Sequence, residues 1–380
     1  MRPGPDRRPA SLIGLDAPPP QTSGPSRRDL CRQILFASSL PLLGGALGGC
    51  ASMRPAIGGR KAALLLPLTG DAAALGRNMS RAASLVVVSG PDAGAPPIYD
   101  TAGSAEGARR AAREALDAGA QMLFGPLRAD QTPAVLAEAG KAPVVTFSND
   151  DRLTAQGAFV MGLTPAQSVA AVFSYARAQG VRRVAMVARP GPLGEASAKA
   201  ARDLAAAGGL TLTATLLRDD ARGLAAALRA AGGGLQPEAV FLPDGGEALI
   251  AFAEGLSGTG IRLMGGVQWG MLDVAGVRAL DGAWFAAPPP NAFVPFLDTF
   301  EARFGESAGI VTALAHDAVL TATVLGDARA MNRGGLTRPE GFAGALGRYR
   351  FLADGRCQRD LVVLTLENGE IVTLGEVTGT

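Results

Sequence analysis

The chain has 380 residues with 36 Lys and Arg against 34 Asp and Glu, 48% apolar residues, 5% aromatic residues, three Cys and one His. Residues 1–50 hold six Arg and three Asp, a surplus of +3, so the remainder sums to −1 against +2 for the whole chain. A near-neutral body argues against nucleic acid as a partner, and one His with so few Cys excludes zinc sites of the Cys/His type.

The N-terminal stretch, to about residue 32, is rich in Pro, Arg and Ser and has no apolar periodicity. It cannot bury a core and reads as a segment that is disordered or removed. Ser26-Arg27-Arg28-Asp29-Leu30-Cys31-Arg32 fits the twin-arginine export pattern, and an apolar stretch over 34–49 follows that is too short to span a bilayer comfortably. An Arg-rich lead-in to an ordinary secretory signal accounts for the same residues. Leu47-Gly48-Gly49-Cys50 resembles the lipobox of bacterial lipoproteins, in which a small residue precedes the cysteine that receives the lipid. The resemblance makes 1–50 a signal peptide, Cys50 the lipid-attachment residue and 51–60 a tether, and Ala51 implies release to the outer membrane. A soluble product cut nearby is the other reading. With Cys31 in the signal and Cys50 lipidated, Cys357 has no partner for an intramolecular disulfide.

A mature body of roughly 330 residues exceeds one ordinary core, so two lobes are expected. The body opens with a strand over 61–66 and Pro67-Leu68-Thr69-Gly70. Asp71 is placed to cap a helix carrying Leu75, Met79, Ala82, Ala83 and Val86 at helical spacing. A short strand over 98–100 follows, and Ser104 caps a helix that Gly119 ends. Next come a strand over 121–124, the turn Gly125-Pro126-Leu127, a helix to 139, a strand over 143–147 and the polar loop Ser148-Asn149-Asp150. Two buried parallel strands thus finish in loops on one edge of a sheet, the carboxyl edge at which small ligands bind in open α/β sheets.

After Gly157 the alternation repeats, with helices over 165–179, 221–231 and 247–256, and one to 207 opened by the loop Arg189-Pro190-Gly191-Pro192-Leu193-Gly194, between strands over 184–187, 210–216, 239–242, 262–265 and 283–286. Pro288-Pro289-Pro290 reads as a stiff crossover. Helices over 291–304 and 310–328 are expected to return to the first lobe, and strands over 350–352, 361–366 and 371–374 close the chain, the last two as a hairpin on Asn368-Gly369. The fold class is α/β, with two doubly wound parallel-sheet lobes and a small antiparallel C-terminal hairpin.

Motifs that would signal an enzyme fail on context. Gly305-Glu306-Ser307-Ala308-Gly309 matches G-x-S-x-G, but a nucleophile elbow follows a strand, whereas this one follows a predicted helix end. No acid lies between Ser307 and His316, so Gly305 reads as a helix C-cap. His316 reads as a packed helix residue, its neighbour Asp317 pointing elsewhere on the helix. Gly232-Gly233-Gly234 precedes no Lys-Ser/Thr, and Asp219-Asp220 lacks companions at metal spacing. No catalysis, cofactor or metal is expected.

Leu65-Leu66-Pro67-Leu68-Thr69-Gly70, Leu75-Gly76, Phe124-Gly125-Pro126-Leu127, Leu193-Gly194, Phe300-Glu301-Ala302-Arg303-Phe304-Gly305 and His316-Asp317-Ala318-Val319 resemble landmarks of type I periplasmic binding proteins of the leucine-binding kind. They run in order over nearly all of 60–375. Within that superfamily, the opening and the Gly-Pro-Leu turn look most like the sheet domain of lipoprotein activators of penicillin-binding proteins. The resemblance implies three crossovers between lobe 1 (61–160 plus 290–348) and lobe 2 (161–289 plus 349–380). By position, Thr69, Gly125, Pro126, Leu127, Ser148 and Asn149 would line the cleft from lobe 1, with Leu193, Asp244, Gly245 and Trp269 opposite, although Trp269, like Trp284, also fits as an ordinary core anchor. In amino-acid receptors a hydroxyl and the backbone amides at helix N-termini hold the ligand carboxylate. Ser148 fits that role; Ser148 and Thr69 as caps of their own turns fit equally.

Two functional classes follow from the resemblance. The first is a non-enzymatic, outer-membrane-anchored periplasmic lipoprotein that contacts a peptidoglycan synthase (a penicillin-binding protein) and activates it. The alternative is the substrate-binding component of an ABC importer, partnered by its permease, for leucine-like or other small amino acids. Leu193 and His316 stand where many amino-acid receptors carry an aromatic and a Tyr, and the chain has only three Tyr and two Trp to wall a cleft. Those departures favour the activator. Against it, activators can carry a helical-repeat domain before the sheet domain, whereas a tether of about ten residues reaches at most about 35 Å.

Overall fold

A computed structural model describes residues 62–87, 95–271 and 276–380. The expected signal peptide, Cys50 and tether lie outside these residues. The elements in chain order are β1 (Ala62–Leu66), α1 (Ala73–Ser84), β2 (Ile98–Asp100), α2 (Ala105–Asp117), β3 (Met122–Phe124), α3 (Thr132–Ala139), β4 (Val144–Thr146) and β5 (Phe159–Val160). Then come α4 (Pro165–Ala178), β6 (Arg183–Ala188), α5 (Pro192–Ala207), β7 (Thr211–Leu217), α6 (Leu224–Ala231), β8 (Ala239–Leu242), α7 (Gly246–Gly255), β9 (Arg262–Gly265) and β10 (Trp284–Ala287). The remainder is α8 (Pro290–Phe304), α9 (Ile310–Asp327), α10 (Arg333–Leu336), β11 (Phe342–Gly344), β12 (Gly347–Phe351), β13 (Cys357–Arg359), β14 (Leu361–Glu367) and β15 (Glu370–Val377).

β1 to β5 form a parallel sheet in the order β2-β1-β3-β4-β5, with Leu64 of β1 set between Ile98 and Phe124. All five residues of β1 are buried, as expected of a strand covered on both faces. The small-residue face of α2, Ala108, Ala111, Ala112 and Ala115, lies on one side against Leu65 and Leu123, and α1 lies on the other. The Ser104 hydroxyl accepts the Gly107 N–H at 3.0 Å and so caps α2 as its sequence predicts. Asp71 does not cap α1, whose N-cap is Ala72; its carboxylate pairs with Arg128 across the sheet edge instead.

The second sheet has the order β15-β14-β10-β9-β8-β6-β7, parallel from β7 to β10 and antiparallel where β14 and β15 join. Asn368 and Gly369 both take positive φ at the hairpin tip, the backbone that a two-residue turn of this kind requires. The hairpin therefore extends the second sheet. β11, β12 and β13 form a separate three-stranded antiparallel sheet, two strands of which the sequence pattern does not announce.

α9, 18 residues long and largely apolar, is covered on most sides, with Ala313, Leu314, Ala318 and Val319 in the same core as Met79 and Ala83 of α1. The segments joining the two large sheets are stitched together. The Val160 N–H donates to the Gly355 carbonyl at 2.9 Å, the Arg359 guanidinium to the Met161 carbonyl at 3.2 Å, and the Gln167 amide to the Cys357 carbonyl at 2.7 Å. Gly305 ends α8 in the left-handed conformation with its N–H on the Glu301 carbonyl, so Ser307 stands after a helix and the elbow geometry is not formed.

Candidate ligand-binding cleft

A cavity of about 560 Å³ lies at the carboxyl edge of the first sheet. Its walls come from the loops after β3 and β4, the start of α9, Gly162 and Leu163 on the way to α4, and Val267 and Gln268 after β9 of the second sheet. Leu127, Phe147, Leu163, Val267, Ile310 and Leu314 make most of the lining apolar. The volume suits a small organic molecule.

The two loops of the first sheet are held by buried threonines. The Thr146 hydroxyl donates to the Pro126 carbonyl at 3.0 Å and lies 3.0 Å from the Thr132 hydroxyl, while the Phe147 N–H also donates to Pro126. That places Ser148 at the wall, 6% exposed. Its Oγ accepts the Asp150 N–H at 3.1 Å, which leaves the hydroxyl hydrogen to donate into the cleft.

Two helix starts meet the same cavity. A 3₁₀ turn, Ala129–Gln131, leads into α3 without a side-chain cap, and among the described residues the Ala129 and Asp130 N–H groups have no acceptor. α9 begins at Ile310 after Gly309, again without a side-chain cap, and its first-turn N–H groups have no intrahelical acceptor. Ala129, Asp130, Ile310 and Val311 all line the cavity. Unpaired N–H groups at helix starts, with the dipole behind them, favour an anionic group. The charges at the rim compensate one another: Arg128 pairs with Asp71 at 2.9 Å and with Asp130 at 3.3 Å, and all three are exposed. Among the described residues no group of three or more His, Cys, Asp and Glu could hold a metal ion.

A sequence profile of the family described as periplasmic binding protein matches residues 60–369, most of the chain. The chain belongs to the periplasmic binding protein family. Membership implies a periplasmic location. No curated protein matches the sequence. Among solved structures, this periplasmic binding protein is similar to a protein of Rhodospirillum rubrum provisionally described as a branched-chain amino acid ABC transporter, at 21% identity over 82% of this chain and 99% of that one, with a TM-score of 0.72. It is also similar to the branched-chain amino acid transporter substrate binding protein LivJ of Streptococcus pneumoniae in complex with isoleucine, at 19% identity over 83% and 99%, TM-score 0.58. A third is a solute binding protein of an ABC transporter from R. palustris in complex with benzoate, at 19% identity over 84% and 97%, TM-score 0.58. These likenesses establish the fold.

Of the residues this periplasmic binding protein was expected to place in its cleft, Leu127, Ser148 and Asn149 line the cavity. Gly125 and Pro126 are buried behind Leu127. Thr69 is committed elsewhere: its hydroxyl donates to Asp100 at 2.6 Å and its N–H to the same carboxylate at 3.2 Å, closing the loops after β1 and β2. On the second sheet, Leu193 lines a much smaller hollow that shares Asn149, Leu163, Val267 and Gln268 with the main cavity. Asp244 accepts the Arg189 N–H at 3.0 Å, and burial pushes its carboxyl above the ordinary range against that bond. Gly245 is the N-cap of α7. Neither Asp244 nor Gly245 lines the cavity.

Of the two places open to Trp269, the cleft wall and the core, it takes the core. It is fully buried, its indole N–H donates to the Leu242 carbonyl at 3.0 Å, and its ring lies 5.8 Å from that of Phe285. The indole finds its polar partner inside the second lobe's core and so has no reason to face solvent. His316 is a packed helix residue as expected, its ring 5.3 Å from that of Phe296; only the direction of Asp317 differs, since His316 Nδ1 lies 3.3 Å from Asp317 Oδ1, although that carboxylate is mainly engaged with backbone N–H groups. The α9 contribution to the wall was missed because Ile310, Val311 and Leu314 read as ordinary core periodicity. The unannounced signal was Gly309, an uncapped helix start that needs an acceptor from elsewhere.

Proposed function

We propose that this periplasmic binding protein is the substrate-binding component of an ABC importer for a small carboxylic acid with an apolar body, leucine-like amino acids among them. The observation that carries the reading is the convergence of two uncapped helix starts and the Ser148 hydroxyl on one largely apolar cavity. Such a site offers donors to a carboxylate and aliphatic surface to the rest of the molecule. The isoleucine and benzoate bound in the two similar proteins share that chemistry. Leu127, Ser148 and Asn149 would contact the ligand from the first lobe; Val267 and Gln268 would close on it from the second. The permease of the importer is the partner this role requires.

The activator reading falls second. It leans on the Gly125-Pro126-Leu127 turn, whose first two residues are buried under the loop after β4, and on a thin aromatic wall that Phe147 and six aliphatic side chains replace. Ala51 keeps it in view. If Cys50 carries a lipid and Ala51 directs it to the outer membrane, a tether reaching at most about 35 Å counts against an inner-membrane permease as it does against a distant synthase. Importer function therefore goes with a product held at the inner membrane or released, and fractionation of the two membranes separates the cases.

The deciding experiment is a thermal-shift and calorimetric screen of the purified protein against branched-chain amino acids and small aromatic acids. A ligand at a hundred times its dissociation constant adds about 2.7 kcal/mol of stability. Ser148→Ala removes a hydroxyl donor and weakens that ligand by about 1–3 kcal/mol. A protein that no small acid stabilises, but that co-purifies with and activates a peptidoglycan synthase, sinks the importer reading.

A further inference from the structure

The hollow beside the main cavity has chemistry of its own. It lies between the starts of α4 and α5 and the loop after β9, and its volume is about 10 Å³, room for a single water-sized occupant. Ser168 of α4 and Ser197 of α5 both line it, and they are 3% and 0% exposed. Among the described residues the Ser197 Oγ has no hydrogen-bond partner at all. A serine one turn into a helix can satisfy itself on the carbonyl four residues back, here that of Leu193, but Ser197 does not. A buried hydroxyl without a partner is uncommon and calls for an occupant.

Ser168 completes the pair. Its Oγ accepts the Val267 N–H at 3.3 Å, so its own hydrogen remains to donate. Gly266 keeps the space open, because an added Cβ there would come within 3.1 Å of the Ser168 Oγ and 3.6 Å of the Phe241 ring. The rest of the lining that belongs to this hollow alone is apolar: Pro165, Leu193, Phe241 and Pro243. Four residues, Asn149, Leu163, Val267 and Gln268, belong to the hollow and the cleft alike, so the two lie side by side.

We infer that Ser168 and Ser197 form a second polar subsite of the cleft, which takes a hydroxyl or carbonyl oxygen at the end of the ligand remote from its carboxylate. The inference rests on the importer reading: the carboxylate is held by the first lobe, so the opposite end of the ligand is turned toward the second, where the two serines stand. The preferred ligand class is thus an apolar acid with a distal oxygen, and an acid ending in a methyl group leaves Ser197 unsatisfied. In the free protein one water fills the place.

Two near-isosteric pairs of probes test the subsite, 5-hydroxynorvaline against norleucine and 4-hydroxybenzoate against 4-methylbenzoate, measured by calorimetry on the wild type and on Ser197→Ala. The substitution favours the helix and should leave folding intact. The wild type is expected to bind the hydroxylated member of a pair roughly fivefold or more tightly, and Ser197→Ala to bring the ratio close to one. Equal affinities in the wild type, or a preference that survives in Ser197→Ala, overturn the subsite and leave the carboxylate reading standing. Failure of all four probes to bind overturns both. A crystal structure of the unliganded protein gives a readout that needs no ligand: a water bonded to Ser197 and Ser168 is expected, and a dry hollow with Ser197 turned onto Leu193 overturns the subsite.

Discussion

The Arg359 guanidinium and the Asp317 carboxylate lie 3.9 Å apart, and neither side chain is exposed. Asp317 also accepts the Ala345 N–H at 2.6 Å and the Leu346 N–H at 3.3 Å, while Arg359 donates to the carbonyls of Met161 and Leu346 and sits 4.6 Å from the centre of the Tyr349 ring. The Tyr349 hydroxyl is 2.6 Å from that of Thr321, and burial, reinforced by the Asp317 charge, pushes its ionisation well above the ordinary range. One buried pair thus ties α9, the three-stranded sheet and the segment leaving the first sheet.

Removing one member of such a pair leaves a buried charge without its partner. Arg359→Met is expected to cost about 3–5 kcal/mol, and Asp317→Asn a similar amount. The double variant should recover at least about 1 kcal/mol of the summed losses, since no isolated charge remains. Urea unfolding of the four proteins checks this; strictly additive losses would show that the pair is not coupled.

Trp269→Phe distinguishes a core residue from a cleft residue. The Leu242 carbonyl loses its donor, so stability is expected to fall by about 1–3 kcal/mol. Affinity for whatever ligand the screen identifies should stay within about twofold, because the indole does not line the cavity. A tenfold loss of affinity with unchanged stability would return Trp269 to the cleft.

Gly125 takes φ +119, and a Cβ there would come 2.3 Å from the Leu65 carbonyl oxygen. Both the dihedral and the contact exclude an L side chain, so Gly125→Ala is expected to lose at least about 2 kcal/mol. The loop before Leu127 would shift with it. Melting curves that match the wild type would mean that the β3 turn has slack this geometry does not provide.

Asp100 sets an acid dependence. Burial opposes its charge, but hydrogen bonds from the Thr69 hydroxyl and the N–H groups of Ala102, Thr69 and Leu68 outweigh burial and hold its carboxyl below the ordinary 3.8. A carboxyl lowered on folding stabilises the protein above its unfolded value, and the contribution fades as pH falls through the folded value. Asp100→Asn should therefore be less stable than the wild type at pH 7, and the gap should narrow on acidification below about pH 4. A gap that is the same at pH 7 and pH 2.5 would assign the loss to shape instead of charge.

Much of the secondary structure was legible, for local reasons. Apolar runs such as Ala62–Leu66, small-residue stripes such as Ala108, Ala111 and Ala115, and stop signals such as Asn368-Gly369 act through neighbours in the chain, so their consequences appear in the sequence. Short elements were not. β5 has two residues, and β11 and β13 have three each, too few for a period to show.

The sequence by itself determined the alternation of strand and helix, the two sheets, and the edge at which Leu127, Ser148 and Asn149 finish their strands. Tertiary structure alone decided which side chains face the cleft. Thr69 was drawn away by Asp100, Trp269 by the Leu242 carbonyl, and Asp71 by Arg128, each partner lying far along the chain or on another strand. The start of α9, distant in sequence from the loops it meets, supplied a wall and a set of unpaired N–H groups. Periodicity reports which face of an element is apolar. It carries no record of which partner waits in space, and that partner determines whether a polar group is consumed in the scaffold or left free for a ligand.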